Sequence, residues 1–214
     1  MMSEICMKLH HAANQLPVHQ FPFNLKQIPR NGIYILFEKG EYGHGVKRIV
    51  RVGTHTGVNQ LRSRLSQHFM KENKDRSIFR KNIGRALLNR ANDRFLDQWE
   101  IDLTATEAKK RHAQLLNSTR KLEIEKQVSD LIQQNFCFVA IQVDEKEKRL
   151  FWEGKMISTI SLCRTCKASE GWLGQFSPKE KIKESGLWLV NQLYKEPLTE
   201  AESAELLFMM DNNG

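Results

Sequence analysis

Gly32-Ile33-Tyr34-Ile35-Leu36-Phe37 and Arg48-Ile49-Val50-Arg51-Val52-Gly53, with Gly40, Gly43 and Gly45 between them, decide the fold. Both flanks are short, apolar and β-branched, the composition of a buried strand bounded by turn residues. The intervening glycines mark a turn. Two strands joined by a short Gly-rich loop predict an antiparallel hairpin. A third run of the same character, Phe136 to Val143, predicts a further strand eighty-three residues after Gly53.

Around these strands the pattern changes to a helical period. Upstream, Met1 to Arg30 reads as a short helix followed by an approach punctuated by Pro17, Pro22 and Pro29. Downstream, Leu61, Leu65 and Phe69 recur at i, i+4 and i+8, which predicts an amphipathic helix over Gln60 to Lys71. Arg64 and His68, also four apart, then project together beside that stripe. Ile78 to Arg90 reads as a second, basic helix with Ile83 and Leu87 inward and Arg80, Lys81, Arg85 and Arg90 outward. Thr104-x-x-Glu107 has the form of a capping box opening a long charged helical region to about Gln134, in one piece or two. Asp144 is placed to cap a helix over Glu145 to Cys163. Ser177-Pro178-x-Glu180 predicts a helix to Tyr194, and Thr199-x-x-Glu202 a last, acidic one ending near Met210. Trp152, Trp172 and Trp188 read as anchors for these C-terminal helices, with Trp172-Leu173-Gly174 a packed turn.

The chain has 214 residues, 40% of them hydrophobic, and a mean hydropathy of −0.52, enough for one domain with a real core. No run approaches the roughly 18 apolar residues of a spanning helix, and the N-terminus lacks an apolar segment before a small-residue cleavage site. Cysteines at 6, 137, 163 and 166 are too few and too unevenly spaced for a disulfide scaffold, so a reduced, cytoplasmic chain is expected. Cys163-x-x-Cys166 has the form of half a zinc site or a redox pair. A zinc site needs a second pair of comparable spacing, and the sequence offers only scattered candidates. The pair is therefore read as small residues at a helix end. His10, His11, His19, His44 and His112 show no ligand spacing and are set aside.

Formal charge is +8, and it is concentrated. From Arg62 to Arg94, ten cations face only Glu72, Asp75 and Asp93, a local net of +7. Charge packed this way suits a polyanion, where each neutralised phosphate releases counterions. Arg62, Arg80, Lys81 and Arg85 are the expected nucleic-acid contacts.

One carboxylate stands where the wheel calls for an apolar residue. In the helix from Glu145 to Cys163, Leu150, Met156, Ile157, Ile160 and Cys163 fill one sector and Glu153 falls inside it, with Lys155, Ser158 and Thr159 outside. A carboxylate aimed at a core costs several kcal/mol unless it is paired or bound to a cation. A buried ion pair with arginine and a hard divalent metal, which prefers oxygen donors, are the two readings.

Taken in order, Gly32-Ile33-Tyr34, Arg51-Val52-Gly53, Arg64-x-x-x-His68 and Glu153 resemble the GIY-YIG nuclease family over about 120 residues. The resemblance implies an α/β domain of α+β type, with a small central three-stranded antiparallel sheet flanked by helices. On this reading residues 1–214 form a single domain. Its core lies at about 30–165, with a helical insertion at about 96–134 and a helical extension at about 176–210. It further implies metal-dependent cleavage of DNA phosphodiester bonds, with Mg²⁺ or Mn²⁺ held by Glu153. By the same likeness Tyr34 orients or deprotonates the attacking water, Arg64 neutralises the scissile phosphate, and His68 assists proton transfer or holds the tyrosine. The family's second tyrosine is Arg51 here, and arginine can stabilise negative charge but not pass a proton. Arg51 is then a phosphate clamp, with His55 as the titratable group. The family's frequent asparagine after the glutamate has no counterpart at Thr165 to Ala168. These departures define an alternative, a nucleic-acid-binding module that kept the scaffold and lost the chemistry.

Overall fold

The alternation along the first strand divides its side chains between two cores. Ile33, Ile35 and Phe37 point to one face and Tyr34 and Leu36 to the other, all of them buried. A sheet covered on both sides follows, and the computed structural model, which describes residues 2–104, 107 and 117–212, has that form.

Helix α1 (Met2–Gln15) leads into a two-residue strand β1 (His19–Gln20), then β2 (Gly32–Gly43) and β3 (Val46–Gly53). Next come α2 (Leu61–Phe69), α3 (Ile78–Arg90), α4 (Phe95–Glu100) and α5 (Ser118–Asn135). The chain continues through β4 (Phe136–Gln142), α6 (Lys146–Leu162), α7 (Glu180–Ser185) and α8 (Glu200–Asp211). The sheet order is β1-β4-β2-β3, antiparallel throughout. It therefore has four strands rather than three. β1 adds only His19↔Phe138 and Gln20↔Cys137 at the edge, too short a pairing to leave a periodic trace in the sequence. The hairpin closes as expected, through His44 and Gly45, both at positive φ.

On one face α1, α6 and α8 bury Ile5, Leu9, Met156, Ile160, Leu206 and Met210 against β2 and β4. On the other, α2, α3 and α5 bury Leu65, Phe69, Phe79, Ile83, Val128 and Ile132. At about 25 cal/mol per Å² of apolar surface, these two layers supply the main driving force for folding.

Charge on α3 departs from the expectation. Arg80 and Arg85 are buried, not outward, because α3 is enclosed by α4, α5 and the turn at Leu173–Phe176. Arg80 reaches into α5, where Nη2 lies 2.8 Å from Glu125 Oε2 and also donates to Ser129 Oγ. Arg85 forks onto Glu100, with Nη2 2.6 Å from Oε2, and Lys81 donates to the Glu100 carbonyl. Arg62 is half-buried and holds the carbonyls of Ile28 and Lys26. Much of the local positive charge is thus matched by acids that lie outside the stretch in which it was counted.

Of the remaining expectations one falls largely outside the described residues and three change. Of the helix expected from Thr104, residues 105, 106 and 108–116 lie outside the described residues; α5 itself opens at Asn117, whose side chain accepts from Arg120 N–H. Asp144 does not cap α6; Glu145 stands at that position without a side-chain bond to the helix backbone. On α6, Leu150 is 38% exposed while Lys155, Ser158 and Thr159 are buried, because the segment at Pro197–Leu198 and α8 cover that side. The helix expected from Ser177 to Tyr194 is only α7, ending at Gly186 in the left-handed conformation. After it, Trp188 N–H donates to the Val50 carbonyl at 2.8 Å, so the chain runs along the outer edge of β3. Trp172 and Trp188 are buried anchors as expected, both donating to Glu38 Oε2. The Thr199–Glu202 capping box is present. No helix among the described residues is long and apolar enough to cross a membrane.

Candidate active site

The two motif glycines are dictated by contact. A Cβ on Gly32 would lie 2.1 Å from the Ile141 carbonyl oxygen, and one on Gly53 would lie 2.3 Å from the Tyr34 hydroxyl. Gly53 is the register partner of Tyr34, so its bare backbone is what lets the phenol lie flat across the neighbouring strand. Next to it, the pairing slips by one residue between Leu36↔Arg51 and Phe37↔Ile49. The extra residue turns Val50 and Arg51 to the same face, a bulge that re-aims a side chain beside a site.

Arg51 lands on Tyr34, its Nε donating to the phenol oxygen at 3.2 Å, and its Nη1 donates to the Trp188 carbonyl. A guanidinium can only donate, so the tyrosine proton is left to point at His68 Nε2, 2.8 Å away. His68 Nδ1 then donates to Ser77 Oγ at 2.7 Å, which also accepts Arg80 N–H as the N-cap of α3. His68 is fully buried, and its burial, reinforced by Arg64, Arg51 and Arg80, holds the imidazole well below its ordinary range. It is neutral at pH 7 and accepts the hydrogen bond of the phenol it faces.

In front of this chain a cleft of about 320 Å³ opens between the loop after β3, α2 and α6. Thr54, Thr56, Gln60, Ser63, Gln67, Arg64 and Glu153 line it. Glu153 is half-buried at the cleft wall, not sunk in the core, and its Oε1 accepts Thr54 N–H at 3.0 Å. Burial pushes its carboxyl above the usual range, opposed by the Arg51 charge, the Thr54 hydrogen bond and the Arg64 charge. Arg64 donates to Gln67 Oε1 and to the Arg76 carbonyl with the same Nη1.

The structure thus brings Glu153 and Arg64 into one cleft and joins Arg51, Tyr34 and His68 in one hydrogen-bond chain behind it. Tyr34 is completely buried and does not line the cleft. His55 is at the cleft, but both ring nitrogens are engaged: Nδ1 with the Gly57 carbonyl and Nε2 accepting Gly32 N–H. Its imidazole, lowered by burial, fixes the loop after β3 and offers no spare nitrogen. Arg80, Lys81 and Arg85 lie in the internal pairs described above, away from the cleft lining. Sequence reasoning missed Thr54, Ser77 and the Trp188 carbonyl. Ser77 was detectable as the serine before an apolar helical run; backbone donors and acceptors leave no such signal.

A divalent cation fits the lining. The donors are one carboxylate with hydroxyl and amide oxygens, the hard set that Mg²⁺ and Mn²⁺ favour, and the volume leaves room for the waters such ions retain. A sequence model of the family described as GIY-YIG domain matches residues 9–208. Comparison with curated proteins and with solved structures found no match.

Proposed function

Because the chain belongs to the GIY-YIG nuclease family, we propose that it is a metal-dependent endonuclease hydrolysing the phosphodiester bonds of DNA. The observation that carries this reading is the meeting of Glu153 and Arg64 across one cleft, backed by the Arg51–Tyr34–His68 chain. Glu153 holds the divalent ion, Mg²⁺ or Mn²⁺. When bound, such an ion supplies Lewis-acid polarisation of the phosphate and eases deprotonation of water.

The chain's own residues do the rest. Arg64, half exposed on α2, neutralises the charge that grows on the phosphate oxygens as water attacks. Arg51, clamped by Tyr34 and the Trp188 carbonyl, contributes a second fixed positive charge toward Glu153. Tyr34 is a positioning residue in this arrangement, and neutral His68 is the acceptor for its proton. Fixed charges of this kind stabilise a transition state without reorganising during the reaction. Arg76, exposed and bridged to Arg64 through its carbonyl, adds a second accessible cation beside it.

The test is plasmid nicking by the purified protein with Mg²⁺ or Mn²⁺, with single-turnover cleavage and DNA affinity measured separately. Arg64→Ala is expected to lower the cleavage rate by about a hundredfold, the loss typical of one preorganised charge donor, with a much smaller loss of affinity. Equal losses in both would make Arg64 a backbone contact only.

A further inference from the structure

At the end of the sheet away from the cleft, three separate elements bring soft ligands to one point. Cys6 lies on α1, His44 in the two-residue turn between β2 and β3, and Cys163 and Cys166 in the loop that follows α6. One ligand atom from each lies within 4.8 Å of all the others. Cys6 Sγ is 3.5 Å from Cys166 Sγ, and Cys163 Sγ is 3.5 Å from His44 Nε2. Tetrahedral zinc with Zn–S of about 2.3 Å and Zn–N of about 2.0 Å has ligand-to-ligand edges of roughly 3.5–3.8 Å. These two separations match such edges, the rest stay within 4.8 Å, and both far exceed a disulfide bond of about 2.05 Å.

The surroundings point the same way. All three cysteines are buried and free, and His44 is half-buried. Thr165 Oγ1 lies 3.2 Å from Cys163 Sγ, a hydroxyl placed to donate to a thiolate. His10 donates from Nδ1 to the Cys6 carbonyl, and its ring meets that of His44 edge-on at 5.2 Å. Three buried thiols and a half-buried imidazole thus converge on one point.

We propose that Cys6, His44, Cys163 and Cys166 bind zinc in a closed, four-ligand Cys₃His site that is structural and separate from the cleft. Coordination places the ion on three thiolates and a neutral imidazole, and the three thiol protons leave to solvent. With four protein ligands no position is open for substrate. The ion instead ties α1, the hairpin tip and the end of α6 together, and so holds the rear of the helix that carries Glu153.

The full chain, purified under reducing conditions without chelator, is the sample. Elemental analysis and native mass spectrometry are expected to find one zinc ion per chain. Cobalt(II) exchanged for it should give the d–d bands of a tetrahedral site and a thiolate-to-metal charge-transfer band. Cys166→Ser should lose the metal. His44→Cys should keep it while increasing the charge-transfer intensity, a change that a merely packed histidine would not produce. If Cys166→Ser fails to fold, the wild-type and His44→Cys spectra still decide. Zinc-free protein that gives no cobalt spectrum, a disulfide between any of the three cysteines, or full zinc retention in Cys166→Ser would each overturn the assignment.

Discussion

Glu153→Gln is expected to lower the nicking rate by about a thousandfold or more while DNA affinity stays within severalfold of the wild type. Glutamine has the same shape and still offers an oxygen to Thr54 N–H, so the loop after β3 keeps its anchor. What is lost is the one negative charge among the residues lining the cleft. A metal's Lewis-acid contribution is worth several kcal/mol, and each 1.36 kcal/mol is a factor of ten in rate, which sets the expected size. Single-turnover cleavage at saturating protein, with affinity from a separate binding titration, distinguishes the two effects. A variant that still cuts at the wild-type rate would remove Glu153 from the chemistry. A wild-type protein that binds DNA with steep salt dependence yet never cuts with either ion would be a binding module, the alternative raised by Arg51.

Glu125→Ala should cost about 3–5 kcal/mol of stability, the penalty for leaving a buried charge without its partner. The Arg80 guanidinium and the Glu125 carboxylate are both inaccessible, and Arg80 also uses Ser129 Oγ and the Glu125 and His68 carbonyls. Truncating Glu125 also removes the acceptor for the Lys74 backbone N–H. Urea unfolding measures the loss. The double replacement Arg80→Met with Glu125→Leu should recover part of it, since an apolar pair avoids the desolvation of both charges while the Lys74 N–H stays without its acceptor. DNA affinity in that double variant should keep the wild-type salt dependence. A slope reduced by about one would instead place Arg80 on the nucleic acid.

The hairpin, the third strand and the helices α2 and α3 were legible because their apolar periods and glycine turns are local signals. The motif glycines were legible as positions, while their reason, contact with Ile141 and with the Tyr34 ring, is a cross-strand fact. Glu153 stood out as a carboxylate in an apolar sector, and the wheel placed it near the right wall; it did not show that Leu150 beside it faces the cleft. Charge was the least legible property. A count along the chain assigned Arg80 and Arg85 to a polyanion because their partners, Glu125 and Glu100, arrive from other helices. The same limit hid the cysteine and histidine cluster, whose members are 6, 44, 163 and 166 in the sequence and neighbours only after folding. The α7 boundary was missed because the competing conformation, extension along β3, is stabilised by the sheet and not by the segment itself.

That extension has a consequence for how the chain is divided. β3 is a terminal strand of the sheet, and the segment around Trp188 covers its outer margin while receiving Arg51. A fragment cut before Leu187 would present bare amides and carbonyls as a template for a second molecule, inviting aggregation, and would release the Arg51 guanidinium behind the cleft. The segment from Leu187 onward is therefore no dispensable tail: it is the selvedge that keeps the fabric from unravelling beside the cleft.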